Sequence, residues 1–300
     1  VRAKVKWSGR WGQQVRLMSK RNSRGAGKGK AQRSSGGTRT PAVAQEDDNP
    51  RKNRMYWEFA HLWPLISPPE EYEESALHWR EALRAKLGPG RHTILELGVG
   101  GGHNLSHFVQ EFQATAVDIS EGMLEHSRKL NPGVEHLVGD MRTLRLDRTF
   151  KAVLIHDAIE YMLTEDDLRA TFATAKAHLE PGGVFIVGPD WFKETFPGTH
   201  VSHFVRQGTD PEFTFIEYVT DPDPTDNAVE WVFFYIFKEK DGVRVEEDHH
   251  VMSLYSRETW VRLLGEAGFS VEFTPYQDYY THREVHLVVA TSSPNPIGME

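Results

Sequence analysis

Apolar positions along the chain gather into short runs: Ile94 to Leu97, interrupted by Glu96; Ala114 to Val117; Val134 to Val138, which includes Glu135 and His136; Ala152 to Ile155; and Val184 to Val187. Short, mainly apolar runs closed by Gly, Asp or His-Asp read as strands of a parallel sheet, where both faces are covered and alternation disappears. Before them, Glu70 to Leu87 carries Tyr72, Ala76, Leu77, Trp79, Leu83 and Leu87 at helical spacing. After the fifth run the pattern changes. Phe213 to Val219, Val229 to Phe237 and Val243 to Leu254 are β-like, and Lys238 to Gly242 joins the last two as a hairpin turn. Arg257 to Ala267 is amphipathic and ends at Gly268, a helix C-cap signal, before Val271 to Phe273 and Val285 to Ala290 supply closing strands. The expected fold is α/β, a Rossmann-like, doubly wound, seven-stranded sheet with an antiparallel β insertion over 197–256.

The first apolar run leads into Glu96-Leu97-Gly98-Val99-Gly100-Gly101-Gly102, with the next helix starting near His103. Glycines at 98, 100 and 102 allow a sharp turn and let a ligand lie against the backbone. A dinucleotide fingerprint needs a third glycine where His103 stands, which disfavours a nicotinamide oxidoreductase. Asp118 closes the second run about 20 residues on, where a nucleotide-binding sheet carries the acid for the ribose hydroxyls. Asp140 follows the third run and Asp157 the fourth, and Pro181-Gly182-Gly183 forms a turn before the fifth strand. Singly, each acid could be a helix N-cap.

Together, Glu96-x-Gly98-x-Gly100-x-Gly102, Asp118, Asp140 and the Pro-Gly-Gly turn resemble the class I S-adenosylmethionine-dependent methyltransferases. The resemblance implies S-adenosyl-L-methionine as cofactor, S-adenosyl-L-homocysteine as product, and a cofactor site made of Glu96, Gly98, Gly100, Gly102, Asp118, Ile119, Asp140, Met141 and Asp157. A carboxylate at Glu96 suits a ligand that carries an amino group and a sulfonium and has no phosphate. Trp191, Ser202 to Gly208, His250 with Leu254-Tyr255, and Glu266 to Glu272 look like parts of the bacterial nucleotide-amino-sugar N,N-dimethyltransferases, themselves similar to glycine N-methyltransferases. The chain departs from them at Tyr161, where they carry a histidine, and around Leu62-Trp63, where a Tyr-Asp pair is usual.

The implied chemistry is in-line displacement at the sulfonium methyl by a small-molecule acceptor, an amine before a hydroxyl. A base is optional for a neutral amine, and Tyr161, His156 and His203 are the candidates if one is used. Tyr56, Trp63 and Trp191 are candidate substrate-pocket residues. Two other classes are compatible with a cofactor site of this kind: a nucleic-acid methyltransferase, and a cofactor-binding regulatory protein without transfer. The first lacks the Asn or Asp-Pro-Pro-aromatic run after strand four.

Charge is divided unevenly along the chain. Residues 1–54 hold 15 Lys and Arg against three acids, leaving 20 against 40 elsewhere. The basic segment is rich in Gly, Ser and Gln and lacks apolar periodicity, so 1–54 is expected to be a disordered extension. A phosphate-binding arm and a transit peptide are alternatives, and Val1 in place of Met favours a nonfunctional extension. The acidic remainder disfavours nucleic acid except through that arm. The methyltransferase domain is expected over 55–291, with a helical cap over 55–90 and a flexible tail over 292–300. The 300 residues include no cysteine, which excludes disulfides and thiolate chemistry and fits the cytoplasm, and no apolar run approaches a membrane span. Asp248, His249 and His250 are neighbours on an expected strand, so no metal site is expected. A homodimer is left open.

Overall fold

The computed structural model describes residues 53–277 and 283–292. Its elements run in chain order as α1 (Trp63–Ile66), α2 (Glu73–Leu87), β1 (Thr93–Leu97), α3 (His103–Ser106), β2 (Gln113–Asp118), α4 (Glu121–Leu130), β3 (Glu135–Val138), β4 (Phe150–Ile155), α5 (Glu165–Ala177), β5 (Leu179–Val187), β6 (His200–Arg206), β7 (Phe213–Thr220), β8 (Ala228–Glu239), β9 (Gly242–Ser253), α6 (Arg257–Glu266), β10 (Phe269–Gln277) and β11 (Glu284–Ser292). The expected seven-stranded sheet is present in the order β10-β11-β5-β4-β1-β2-β3. Its first five strands are parallel, and β11 runs antiparallel between β5 and β10.

Because strand residues alternate faces, each apolar run feeds two cores. Leu95, Leu97, Val153, Ile155, Phe185 and Val187 pack under α5 and α6 with Phe172, Trp260 and Leu263. Ile94, Ala114, Ala116, Leu154 and Ile186 face the other way, onto Trp79 and Leu83 of α2 and Leu124 of α4. Ser120 and Thr164 cap α4 and α5, the latter by a capping box with Asp167. The Pro181-Gly182-Gly183 turn is an excursion within β5. Phe150 pairs with Leu179 and Ala152 with Val184, so the turn bulges out while Gly182 takes φ +77°.

The insertion has four strands rather than three, in the order β6-β7-β8-β9. Sequence reading missed β6 because its outward side chains, Val201, His203 and Val205, are exposed and its inward ones are mixed. The inner face of this sheet (Phe213, Phe215, Trp231, Phe233 and Tyr235) packs on Met55, Phe59, Leu62 and Ile66. The insertion therefore anchors the segment that leads into α2. Asn53 and Arg54 already belong to this packing, since their backbone N–H groups donate to His249 O and Asp248 Oδ1 at 3.1 and 2.8 Å. The expectations for the rest of the basic extension and for the tail beyond Ser292 lie outside the described residues.

Candidate active site

The turn after β1 is fixed by its own backbone. Gly98 and Val99 N–H both donate to Val117 O, at 2.8 and 3.0 Å, and Gly100 N–H donates to Asp118 Oδ2 at 2.7 Å. Gly98, Gly100 and Gly102 have φ values of +72°, +55° and +73°, a region that only glycine enters freely. Space is equally short. A Cβ on Gly98 would overlap Ala158 Cβ, one on Gly101 the Trp63 indole, and one on Gly102 Ser127 Oγ.

The loop is lined by polar atoms with no partner in the protein. Glu96 is 2% exposed and its Oε2 has no hydrogen bond; neither polar atom of the Asn104 side chain has one. Burial pushes the Glu96 carboxyl up to about 8, with Asp157 and Asp118 adding to the effect against His156. A buried, orphaned carboxyl fits an ammonium group, and the tight glycine cradle beside it fits a ligand laid on bare backbone. A test follows by linkage. The native state binds the Glu96 proton more tightly than the unfolded chain, so stability of the unliganded protein should fall as pH rises from the ordinary carboxylate value toward about 8. Glu96→Gln should flatten that slope in denaturant titrations, and an unchanged slope would exclude Glu96 as its source.

Beyond the loop, His103 holds the cap. Its Nδ1 lies 2.6 Å from Ser67 O, its ring stacks on Trp63, and burial lowers its pKa to about 4, so it is neutral and donates. Asp118 accepts from Ser120 N at 2.8 Å as well as from Gly100; burial raises its pKa against these bonds. Asp140 is half-buried and, against its desolvation, is held below its ordinary value by Arg142, which also reaches Asp167 at 3.0 Å. Ile119 is 55% exposed and Met141 half-buried beside Gly98.

The segment after β4 forms the opposite wall. His156 lies between Trp79 and Tyr72 and 3.3 Å from Asp157. Burial opposes its charge, but Asp157, Asp190 and Glu96 outweigh that and raise its pKa. Tyr161 Oη lies 3.0 Å from Tyr56 Oη and 2.5 Å from His250 Nδ1, and Trp63 is 6.3 Å from Tyr56 between ring centroids. Tyr56, Trp63, His156, Asp157 and Tyr161 are thus brought into one neighbourhood. His203 is not. It is exposed on the outer face of β6, turned away from the inner packing, because strand alternation pairs it with Ile216 there. Trp191 is buried against Trp231, Phe196 and His200 in the core beneath the insertion.

The contribution of Glu160 and the pairing of Asp248 with His250 are not evident in the sequence. Glu160 is buried and accepts from Asp190 and Trp191 N–H at 2.9 and 3.4 Å, tying the loop after β5 to the segment after β4; burial and the nearby acids raise its pKa well above normal. Glu160→Gln keeps an acceptor and should be nearly neutral in thermal unfolding, whereas Glu160→Ala should cost about 1–3 kcal/mol by stranding the Asp190 amide. Equal melting temperatures for both variants would refute this. Asp248 and His250 could have been found by spacing alone, since residues two apart on a strand share a face. Among the described residues no cluster has metal-binding geometry.

Residues 94–183 match a methyltransferase domain family. The chain is 32% identical over 221 residues to the dTDP-3-amino-3,4,6-trideoxy-alpha-D-glucopyranose N,N-dimethyltransferase of Streptomyces venezuelae, covering 68% of this chain and 86% of that protein. It is 30% identical to the dTDP-3-amino-3,6-dideoxy-alpha-D-glucopyranose N,N-dimethyltransferase of Streptomyces fradiae, covering 73% and 86%. The crystal structure of Streptomyces venezuelae DesVI superposes with a TM-score of 0.68 at 28% identity, over 78% of this chain and 98% of that one. No helix among the described residues is long and apolar enough to cross a membrane. With the glycine turn, the seven-stranded sheet order and these matches in agreement, the chain belongs to the class I S-adenosylmethionine-dependent methyltransferases and is an enzyme of that family.

Proposed function

We propose that the enzyme methylates the amino group of a small, nucleotide-linked amino sugar. The observation that carries this reading is the acceptor side itself: the hydroxyls of Tyr56 and Tyr161, 3.0 Å apart, with Asp157 acting electrostatically on both. Paired hydroxyls beside a carboxylate suit an amine that arrives protonated, and aromatic faces at Trp63 and Tyr72 suit the apolar side of a deoxysugar. The two relatives named above, which bear names of amino-sugar dimethyltransferases, support the same acceptor class.

In this reading Glu96 and the orphaned amide of Asn104 hold the amino-acid end of adenosylmethionine. Gly98, Gly100 and Gly102 admit it to the backbone, Asp118 takes the ribose hydroxyls with Ile119 alongside, and Asp140 and Met141 hold the adenine. The sulfonium supplies an already activated methyl, so the protein's task is chiefly to hold donor and acceptor in line. Asp157 orients the acceptor nitrogen, and His156 keeps Asp157 ionised. The cytoplasm is the compartment that suits a chain without cysteine. The test is mass spectrometry after incubation with adenosylmethionine and dTDP-3-amino-3,6-dideoxy-alpha-D-glucopyranose. A product bearing one or two added methyl groups is expected. Turnover of simple phenols, with none of the nucleotide amino sugar, would overturn the reading.

A further inference from the structure

Tyr161 ends a chain of buried polar groups that reaches into the insertion. Asp248 and His250 stand two apart on the inner face of β9, 0% and 1% exposed, with His250 Nε2 2.9 Å from Asp248 Oδ2. Asp248 is fixed in turn by the Arg54 and Met55 N–H groups at 2.8 and 2.6 Å. A carboxylate that already accepts two hydrogen bonds takes the Nε2 hydrogen of the imidazole, which leaves Nδ1 as an acceptor pointing at Tyr161 Oη, 2.5 Å away. The ring's other neighbours are Tyr56, 5.6 Å away, and Phe233, 4.7 Å away; the Arg54 guanidinium is engaged by Glu58 and Glu246. An acid, an imidazole and a hydroxyl thus follow one another, and the hydroxyl also donates to Tyr56 Oη, the other hydroxyl of the proposed acceptor side.

We propose that Asp248 and His250 are positioning residues that make Tyr161 Oη the proton acceptor for the substrate amine. The inference rests on the amine reading above. An acceptor that arrives as an ammonium ion has no free electron pair. The Tyr161 hydroxyl, which donates to Tyr56 Oη at 3.0 Å in the resting structure, turns its hydrogen onto His250 Nδ1. One proton then passes from the substrate nitrogen to Tyr161 Oη while the Tyr161 hydrogen passes to His250 Nδ1, giving an imidazolium beside the Asp248 carboxylate. The freed pair forms the N–CH3 bond, the C–S bond breaks, and its electrons stay on sulfur as the neutral thioether. The positive charge of the sulfonium is then on the new ammonium nitrogen, and the imidazolium proton leaves to solvent. A second methylation requires the same deprotonation again, so the relay is used once per methyl.

The test compares Tyr161→Phe and His250→Gln with the wild type, using dTDP-3-amino-3,6-dideoxy-alpha-D-glucopyranose as acceptor. Titration calorimetry with S-adenosylhomocysteine serves as the check that each variant is folded. At neutral pH both variants should lose roughly 10²-fold in kcat with cofactor affinity retained. Most of the loss should be recovered as pH rises past the pKa of the amine, because solution then supplies the free base. A loss independent of pH, or no loss, would overturn the relay. A second arm needs no acceptor: nitrogen NMR of histidine-labelled protein should find the His250 ring neutral, protonated at Nε2, with Nδ1 perturbed by Tyr161→Phe. An imidazolium, or the opposite tautomer, overturns the proposal. Failure of the wild type to use the sugar sinks the acceptor reading alone, and the NMR arm then decides the relay.

Discussion

Gly98→Ala is expected to leave no measurable cofactor binding and to destabilise the fold by about 2–5 kcal/mol. The estimate combines left-handed backbone strain, roughly 1–2 kcal/mol for a residue with a Cβ, and overpacking of a filled site, about 1–3 kcal/mol. Gly98 has φ +72°, its new methyl would overlap Ala158 Cβ, and Met141 Cε is 3.0 Å away. Ala158 cannot swing aside as a long side chain would; its backbone must move, carrying Asp157 with it. The two walls of the cleft would shift together. Gly182→Ala is the control, because Gly182 shares the sign of φ at +77° but nothing lies within 4 Å of its Cβ position. Thermal unfolding and calorimetry with S-adenosylhomocysteine should give a small loss of stability and normal binding for Gly182→Ala, and a large loss of both for Gly98→Ala. Wild-type behaviour of Gly98→Ala would mean that the turn relaxes without cost and does not shape the cleft.

The parts of this protein readable from residues alone are those governed by local rules. The parallel strands announce themselves as mainly apolar runs because both faces are buried, and the glycine turn is legible because positive φ and close approach are requirements of the backbone itself. The hairpin at Lys238 to Gly242 follows from the same logic and forms with β8 ending at Glu239 and β9 starting at Gly242. What escaped depends on contacts far apart in sequence. β6 carries too little apolar alternation to be seen without its partner β7. That His203 faces outward on β6 could not be read either, because a sequence does not say which face of an edge strand a residue takes. The packing of Trp191 against Trp231, 40 residues later, is likewise not visible in the sequence.

The same long-range character explains why the most ordered chemistry in the structure was not evident earlier. A metal site at Asp248, His249 and His250 is disfavoured in the sequence because neighbouring strand residues point apart. That argument holds for His249 against either of them, and fails for 248 against 250, which share a face. Their partners, Tyr161 and the Arg54 and Met55 amides, lie 89 residues from His250 and 194 and 193 from Asp248. The insertion thus does two things at once: its apolar inner face packs against the N-terminal segment, and its buried Asp248–His250 pair reaches through to Tyr161.

Asp118→Ala carries the second large expected effect, a weakening of adenosylmethionine and adenosylhomocysteine binding by roughly 5- to 150-fold. The figure corresponds to about 1–3 kcal/mol for unpaired hydrogen bonds to a charged group, at about 1.4 kcal/mol per tenfold. Two losses contribute. The proposed bonds to the ribose hydroxyls go, and Gly100 and Ser120 N–H, which donate to Asp118 at 2.7 and 2.8 Å, lose their acceptor, so the glycine turn slackens before any ligand arrives. Asp118→Asn separates them. It retains one carbonyl acceptor for the turn but replaces the other by a donor, so it should keep most of the fold's stability and still bind the cofactor more weakly than wild type. Calorimetry on the three proteins, with unfolding measured on the same samples, reads both quantities. If Asp118→Ala binds adenosylhomocysteine as tightly as the wild type, the carboxylate serves only to brace the turn, and the ribose must be held elsewhere in the cleft.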